Sequence, residues 1–306
     1  MDTRTNRSKK KRSETKKEIK SRRKEKVKKR KTKIRLIILT IITLFVVYGL
    51  FIEPRLLLVN EVKLENKNIP KSFHGVKIVQ FSDLHYGTTI NINNIDKVIK
   101  KINEIKPDIV IFTGDLIDNK YTPDEEDVTK LTKCLNNINY TIGKYAIIGN
   151  HDFYKDEYKN IIYDGGFSLL KNSYDIVYNK DNNPILIYGV DDVLYGSPTI
   201  KDLNKKELED ISYKIILVHE PDYIDKIINQ YDVNLILSGH SHNGQVKLFG
   251  FKPFWTPEGS KKYFSPYYEM NDTKIYISNG IGTSLVDFRF GSIPSINFFR
   301  LNNPEH

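Results

Sequence analysis

Five short segments of the chain combine aspartate, histidine and asparagine at the points where apolar runs end. Their polar members are Asp83, His85, Asp115, Asp118, Asn150, His151, Asp152, His219, His240 and His242. In an extended segment, residues two apart point the same way, so Asp83 and His85 face together, as do His240 and His242. Carboxylate, imidazole and amide oxygen without thiolate suit Mn, Fe, Zn or Co ions. The segments therefore predict a site for divalent metal.

Apolar runs typical of buried strands precede these segments. The predicted strands cover residues 76–81, 109–112, 145–148, 185–188, 214–218, 233–237 and 274–277. Helical spacing of apolar residues predicts helices at 95–105, 128–135 and 223–228. Continuous apolar strands separated by helices indicate an α/β fold whose sheet is covered on both faces. Because ligand sites in such folds lie beyond the carboxyl ends of the strands, we expect the five segments to converge.

The positive charge of the chain is concentrated at its N-terminus. Residues 1–35 hold 19 Lys or Arg against 4 Asp or Glu, whereas the rest holds 29 against 34. So much like charge with so few apolar residues predicts a basic tail over residues 1–35 that is disordered or only transiently helical. The net charge of +10 therefore does not indicate a nucleic-acid-binding fold, and we expect no nucleic-acid partner. Cys134 is the only cysteine, which excludes an intrachain disulfide framework and a thiolate zinc cluster.

Residues 36–52 carry no charge and predict one transmembrane helix. A cleaved secretion signal and a buried core helix are the alternatives. Lys and Arg number 13 in residues 16–35 and 4 in residues 53–72, so the positive-inside rule predicts a cytoplasmic N-terminus and an extracytoplasmic domain in the cell membrane. The tail would then contact anionic membrane lipid. Residues 53–74 are predicted to be a linker and residues 75–301 to be one domain.

The five segments read D-x-H, G-D-x-x-D, G-N-H-D, a lone His and G-H-x-H, and in this order they resemble the calcineurin-like metallophosphoesterases. The chain most resembles a branch of bacterial membrane-associated phosphodiesterases related to UDP-2,3-diacylglucosamine hydrolases. Residues 244–246 and 278–284 support that resemblance, although Asn279 stands where arginine is common in those proteins. The family implies a four-layer αββα sandwich that binds two divalent metal ions at one edge.

The resemblance implies roles for the polar residues of the five segments. Seven of them would be metal ligands: Asp83, His85 and His242 on one ion, Asn150, His219 and His240 on the other, and Asp115 bridging both. His151, beside the ligand Asn150, would stabilise the phosphoryl group or protonate the leaving oxygen. Asp118 or Asp152 would orient that imidazole, the alternative being that each caps a helix.

These inferences predict a membrane-anchored, metal-dependent hydrolase of phosphoester bonds. By resemblance we prefer a phosphodiester or pyrophosphate substrate that is lipid-linked or part of the envelope, and we infer no obligate protein partner. A phosphomonoesterase of the same fold and an inactive metal-binding module are the alternatives, together with a nucleic-acid binder that acts through the tail.

Residues 251–270 are rich in aromatic side chains and contain three prolines. The aromatic residues are Phe251, Phe254, Trp255, Tyr263, Phe264, Tyr267 and Tyr268. One interpretation is a lid or lipid-facing edge beside the metal site, and the other is a small hydrophobic core under a long loop.

Overall fold

The computed structural model describes the backbone of residues 3–248 and 251–306, and the side chains of residues 15–248 and 251–306. The chain divides into two compact units, Met1–Tyr48 and Gly49–His306.

The first unit contains one helix, α1 (Thr3–Val47). Residues 3–35, expected to be disordered or only transiently helical, are helical in this structure. The segment contains neither glycine nor proline, and Lys, Arg and Glu are good helix formers. Ion pairs one turn apart, Glu18 with Arg22 and Glu25 with Lys29, favour the helix further. The helical region Thr15–Arg55 includes an 18-residue window of mean hydropathy 2.5, long and apolar enough to cross a membrane.

Within the described part of the second unit, twelve strands form two six-stranded sheets. The strands are β1 (Leu58–Glu65), β2 (Lys77–Phe81), β3 (Ile109–Phe112), β4 (Gly143–Ala146), β5 (Ser168–Leu169), β6 (Ser173–Val177), β7 (Ile185–Gly189), β8 (Tyr213–Leu217), β9 (Leu235–Ser238), β10 (Tyr267–Met270), β11 (Thr273–Ile277) and β12 (Ser295–Asn302). The helices are α2 (Ile92–Ile105), α3 (Glu125–Asn136), α4 (Asp156–Asp164) and α5 (Ile224–Ile228).

The strand order is β1-β12-β2-β3-β4-β5 in the first sheet and β10-β11-β9-β8-β7-β6 in the second. The central strands run parallel, β2 with β3 and β4 in one sheet and β7 with β8 and β9 in the other. Parallel strands bring their carboxyl ends to one edge, where irregular loops carry the polar segments.

Alternate residues of each central strand face different layers of the core. Val79 packs with the side chains of α2, α3 and α4, whereas its neighbour Ile78 packs between the two sheets. In the second sheet, Ile215 faces the space between the sheets and Ile216 packs with α5. Both faces of each sheet are thus buried, which explains why these strands are continuous apolar runs. The predicted four-layer αββα arrangement is confirmed.

The segment predicted to be a linker, residues 53–74, is instead part of the domain. Its residues Leu58–Glu65 form β1, which pairs in parallel with β12 along its whole length. Leu64 is buried between the sheets, while most of β1 is half-buried or exposed. An edge strand of this kind shows a weak apolar pattern, so the sequence alone did not reveal it.

Candidate metal centre

The five polar segments meet beyond the carboxyl ends of β2, β3, β4, β8 and β9. Two hydrogen bonds join the two sheets at this point. One carboxylate oxygen of Asp83 (Oδ1) accepts the backbone N–H of His240 at 2.9 Å. The ring nitrogen Nδ1 of His219 lies 2.6 Å from the carbonyl oxygen of Thr113. The structure therefore brings residues from both sheets into one buried site.

The first group of candidate ligands contains Asp83, His85 and His242, all buried. The Nε2 atoms of His85 and His242 lie 3.0 Å apart. Two imidazole nitrogens that bind one cation at about 2.1 Å and at a right angle are separated by about this distance. Among the residues that the structure describes, Oδ2 of Asp83 has no hydrogen-bond partner although it is buried. The three side chains thus offer a set of donor atoms that fits a divalent metal ion.

The second group contains Asp115, His219 and His240. Because a carbonyl oxygen only accepts, Nδ1 of His219 donates to Thr113, and the other nitrogen, Nε2, carries the lone pair of the neutral ring. That Nε2 is buried, lies 3.2 Å from Oδ2 of Asp115, and has no hydrogen-bond partner within the described part of the chain. A lone pair facing a carboxylate oxygen in a buried site is unfavourable unless a cation or proton lies between them.

His240 shows the same arrangement with its two ring nitrogens exchanged. Its Nε2 donates to the carbonyl oxygen of Glu258 at 2.6 Å, which leaves the lone pair of the neutral ring on Nδ1. That Nδ1 faces the amide oxygen of Asn150 at 2.9 Å. The pair therefore offers a nitrogen and an oxygen ligand at a separation that suits one metal ion.

Asp115 lies between the two groups. Its Oδ2 is 3.5 Å from Nε2 of His85 and 3.2 Å from Nε2 of His219. Its other oxygen, Oδ1, accepts the backbone N–H of His151 at 2.9 Å. One carboxylate oxygen thus faces both groups, which is the position that a bridging ligand requires.

Several of these residues have left-handed backbone conformations. The φ angles are 54° for Asp83, 46° for His85, 61° for Asp115, 66° for His240 and 48° for His242. Residues other than glycine adopt such angles at a cost of about 1–3 kcal/mol, and they concentrate at functional sites. The surrounding contacts must therefore hold these turns in place.

His151 lies beside the two groups and is held through its Nδ1 atom. The backbone N–H of Asn119 donates to Nδ1 at 3.1 Å, and a carboxylate oxygen of Asp118 lies 3.3 Å from it. The same oxygen of Asp118 lies 3.3 Å from Nδ1 of His85. His151 also forms a third group with His85 and Asp115 that could hold a metal ion.

Asp152 contacts backbone rather than an imidazole. Its two carboxylate oxygens accept the N–H groups of residues 115, 116, 117 and 149 at 2.7–3.3 Å. Asp152 is 2 % exposed; burial and then the charge of Asp115 raise its pKa to about 8, while these backbone hydrogen bonds act in the opposite sense. It therefore holds the turn that carries Asp115, whereas Asp118 is the acidic residue placed beside His151.

The pKa shifts are consistent with a site that binds cations. Burial lowers the pKa of His240 to about 3 and that of His242 to about 4, so both rings are neutral near pH 7 and each has a lone pair for a metal ion. Burial also opposes a charge on His219, but Asp115 raises the pKa of His219 well above its ordinary value. Burial disfavours the charged form of Asp118 too, yet the imidazoles of His151 and His85 beside it hold its pKa well below the usual range.

A cavity of about 530 Å³ opens above these residues. It is lined by five of the seven predicted ligands and His151, and by apolar side chains that include Leu194, Phe254, Trp255, Leu285 and Val286. The aromatic segment 251–270 divides between the two interpretations given above. Phe254 and Trp255 are exposed at the cavity, whereas Tyr263 is buried in the core outside the second sheet.

Sequence reasoning missed Arg289, which is buried and lies 3.0 Å from Nδ1 of His242. It stands between Phe288 and Phe290, and a single arginine in an apolar segment is the only local signal that it carries. Asn279, at a position where the resemblance led us to expect arginine, donates to the carbonyl oxygen of Ile293. The positive charge beside the site thus comes from a different position.

Comparison with known proteins identifies the family. The family profile for calcineurin-like phosphoesterases matches residues 76–244, which contain all five segments. The chain belongs to the calcineurin-like phosphoesterase family. It is 36% identical to the uncharacterized metallophosphoesterase YkuE of Bacillus subtilis over 84% of this chain and 89% of that protein. It is 27% identical to a Danio rerio transmembrane protein with metallophosphoesterase domain, over 83% of this chain and 59% of that protein.

Among solved structures, the 5'-nucleotidase precursor of Thermus thermophilus is similar with a TM-score of 0.43 and 12% identity, over 67% of this chain and 49% of that one. As a calcineurin-like phosphoesterase, the protein uses two divalent metal ions to hydrolyse phosphoesters. The apolar helix and the transmembrane relatives also make a membrane anchor plausible.

Proposed function

We propose that this protein is a membrane-anchored phosphodiesterase or pyrophosphatase that acts on a lipid-linked or envelope substrate. The observation that carries the hydrolytic part of the proposal is the pairing of buried acceptor atoms. Nε2 of His219 faces Oδ2 of Asp115, and Nδ1 of His240 faces the amide oxygen of Asn150. Such pairs are unfavourable unless a cation or a proton lies between the two atoms.

The seven proposed ligands fall into the two groups described above. Asp83, His85 and His242 would hold one ion, Asn150, His219 and His240 the other, and Asp115 both. The chemistry that two bound divalent cations supply in such a site is polarisation of phosphoryl oxygens and a lowered pKa for water.

His151 is the proposed proton donor to the leaving oxygen. In the protonated ring both nitrogens carry a proton: Nδ1 lies 3.3 Å from a carboxylate oxygen of Asp118, and the proton on Nε2 is the one available to the leaving oxygen. Although burial opposes it, Asp115 and then Asp118 raise the pKa of His151 above its ordinary value, which keeps a proton available near neutral pH. Asp118 orients the ring from the side away from the leaving group.

The apolar side of the cavity supports a substrate with a hydrophobic portion next to its phosphate. Phe254 is 74% exposed, Leu285 56% and Val286 57%. Exposed apolar side chains that cluster beside a polar site favour contact of this surface with a lipid chain or with the membrane. With the charge distribution of the N-terminal region, we propose that residues 36–52 span the membrane, that the N-terminus is cytoplasmic and that the hydrolase domain is outside.

The proposal is tested with the full chain in detergent micelles on three substrates: bis(p-nitrophenyl) phosphate, p-nitrophenyl phosphate and a diacylglycerol-linked phosphodiester. We expect turnover of both diesters to exceed that of the monoester. The double variant Phe254→Ala/Trp255→Ala should raise KM for the lipid substrate about tenfold or more, because burying an aromatic side chain contributes about 1.5–3 kcal/mol and tenfold corresponds to about 1.4. Its kinetics on the soluble diester should stay unchanged.

Tyr163→Ala is the matched control, since Tyr163 is an exposed aromatic residue of α4 that does not line the cavity. Equal losses on the lipid and the soluble diester would argue against lipid recognition by this surface. Faster turnover of the monoester would indicate a phosphomonoesterase, and no turnover of any substrate after single metals are added back would indicate an inactive binding module.

A further inference from the structure

The segment that follows the apolar span is built into the hydrolase domain through a buried carboxylate. Glu53 is 1 % exposed, and its two oxygens accept the backbone N–H groups of Ser292 at 2.6 Å and Gly291 at 3.0 Å. These partners lie 238 and 239 residues away in the sequence. A buried carboxylate of this kind is stable only while both oxygens have donors, so Glu53 fixes the position of the loop at 291–292.

Gly49, which lies four residues before Glu53 in the sequence, contacts the same loop. Its carbonyl oxygen accepts the backbone N–H of Arg289 at 3.0 Å. A Cβ atom at Gly49 would lie 2.2 Å from the ring of Phe288, so only glycine allows this approach. The membrane-proximal segment, residues 49–53, comprises the last four residues of the apolar run 36–52 and Glu53, and it packs against Phe288–Ser292 at both ends of that loop.

The loop Phe288–Ser292 in turn holds His242, a proposed metal ligand. The guanidinium group of Arg289 donates to the backbone carbonyls of residues 279, 282 and 292, and one of its nitrogens lies 3.0 Å from Nδ1 of His242. The hydroxyl of Ser292 donates to the backbone carbonyl of His242 at 2.6 Å. Both the ring and the left-handed backbone of His242 are thus held from this loop.

We propose that Glu53 and Arg289 are positioning residues, through which the membrane-proximal segment sets the orientation of His242 in the metal site. The chain of contacts runs from Glu53 to the N–H groups at 291–292, and from Ser292 and Arg289 to His242. Much of residues 279–294 is neither helix nor strand, so side-chain contacts rather than a backbone ladder determine its geometry. This inference rests on the proposed metal site, because it assigns these residues their effect through a ligand of that site.

The isosteric variant Glu53→Gln is the sharpest test. Glutamine has one acceptor oxygen where two N–H groups require two, so its amide nitrogen would face a donor. Arg289→Lys keeps the charge but cannot reach four partners at once. The matched controls are Glu61→Gln and Arg300→Lys, which alter an exposed ion pair between β1 and β12 in the same domain.

The measurement is isothermal titration of Mn²⁺ into the full chain in detergent micelles after chelation, with the melting temperature of each metal-free variant recorded in parallel. Changes to residues that support a metal ligand typically weaken metal affinity about 10–100-fold. We expect Glu53→Gln and Arg289→Lys to weaken Mn²⁺ binding at least about tenfold, and the two controls to stay within about twofold of wild type.

A lower melting temperature for Glu53→Gln with Mn²⁺ affinity within about twofold of wild type would overturn the inference, since Glu53 would then only stabilise the fold. If Arg289→Lys does not fold, the Mn²⁺ affinity of Glu53→Gln alone decides whether the inference holds. Absence of Mn²⁺ binding by wild type is a separate outcome that would overturn the proposed metal site and this inference with it. Normal binding by wild type and unchanged binding by both variants would overturn the inference alone.

Discussion

Removal of the His151 imidazole should slow hydrolysis by an amount that depends on the leaving group. His151 has its Nδ1 bound by the Asn119 N–H at 3.1 Å and its side chain is only 10% exposed, so a proton on Nε2 is held toward the cavity. A positioned proton donor contributes about 10²–10⁴-fold, or about 2.7–5.4 kcal/mol at 1.36 kcal/mol per factor of ten. Two contacts order this ring, so we expect a loss of about 10³-fold in kcat for His151→Ala with an alkyl leaving group.

The same variant should lose less than about tenfold with a nitrophenyl leaving group, because nitrophenolate departs without a proton. The assay compares kcat of wild type and His151→Ala on a matched pair of diesters that differ only in the leaving group. His74→Ala is the matched control, since His74 lies outside the site and contacts Asn303. Mn²⁺ affinity is measured in parallel to separate proton donation from metal binding.

Equal losses for the two leaving groups would refute proton donation by His151. A large loss of Mn²⁺ affinity in His151→Ala would instead show that the third group, with His85 and Asp115, binds metal.

Three further predictions concern the metal site. Chelation should abolish hydrolysis, and adding back a single metal should restore hydrolysis by wild type but not by His219→Ala at the same metal concentration. Restored hydrolysis by His219→Ala would show that His219 is not a metal ligand. At about pH 9, where the carboxyl of Asp152 (pKa about 8) is ionised, Asp152→Asn should lower the free energy of unfolding of the metal-free protein in urea by about 2–6 kcal/mol, because two buried N–H groups lose an acceptor at about 1–3 kcal/mol each. A change no larger than in the exposed control Asp181→Asn would contradict this. Although burial opposes it, Asp115 raises the pKa of His219, so the ion pair between them stabilises the metal-free fold fully below about pH 6.5 and this stabilisation is lost as the pH rises through the raised pKa. Mn²⁺ must displace the proton on His219, so Mn²⁺ affinity should increase with pH. An Mn²⁺ affinity that is independent of pH would be inconsistent with a proton on His219.

The N-terminal region shows where composition alone was insufficient. Like charge over residues 1–35 predicted a tail that is disordered or only transiently helical, and the structure has α1 from Thr3. Composition measures whether a segment can bury apolar surface, whereas this helix depends on residue propensity, on ion pairs such as Glu18 with Arg22, and on continuity with the apolar run that follows. The apolar span itself was visible from the sequence because lack of charge over seventeen residues is a local property.

The strands were predicted to different degrees for a physical reason. β3 was predicted residue for residue, and β2, β4, β7, β8, β9 and β11 within one or two residues at either end, because strands buried on both faces are continuous apolar runs. β1, β5, β6, β10 and β12 were not predicted. β1 and β10 are edge strands whose residues are largely half-buried or exposed, and pairing with β12 rather than apolar pattern defines β1.

The sequence by itself determined which side chains meet at the site, because metal ligands need particular chemical groups and the carboxyl ends of parallel strands share one edge. Only the tertiary structure decided how those groups are held: which nitrogen of His219 and His240 keeps its lone pair, which residues take left-handed turns, and how Arg289 reaches His242. These features depend on contacts between residues far apart in the chain, such as Glu53 with Ser292, and no local pattern encodes such a contact.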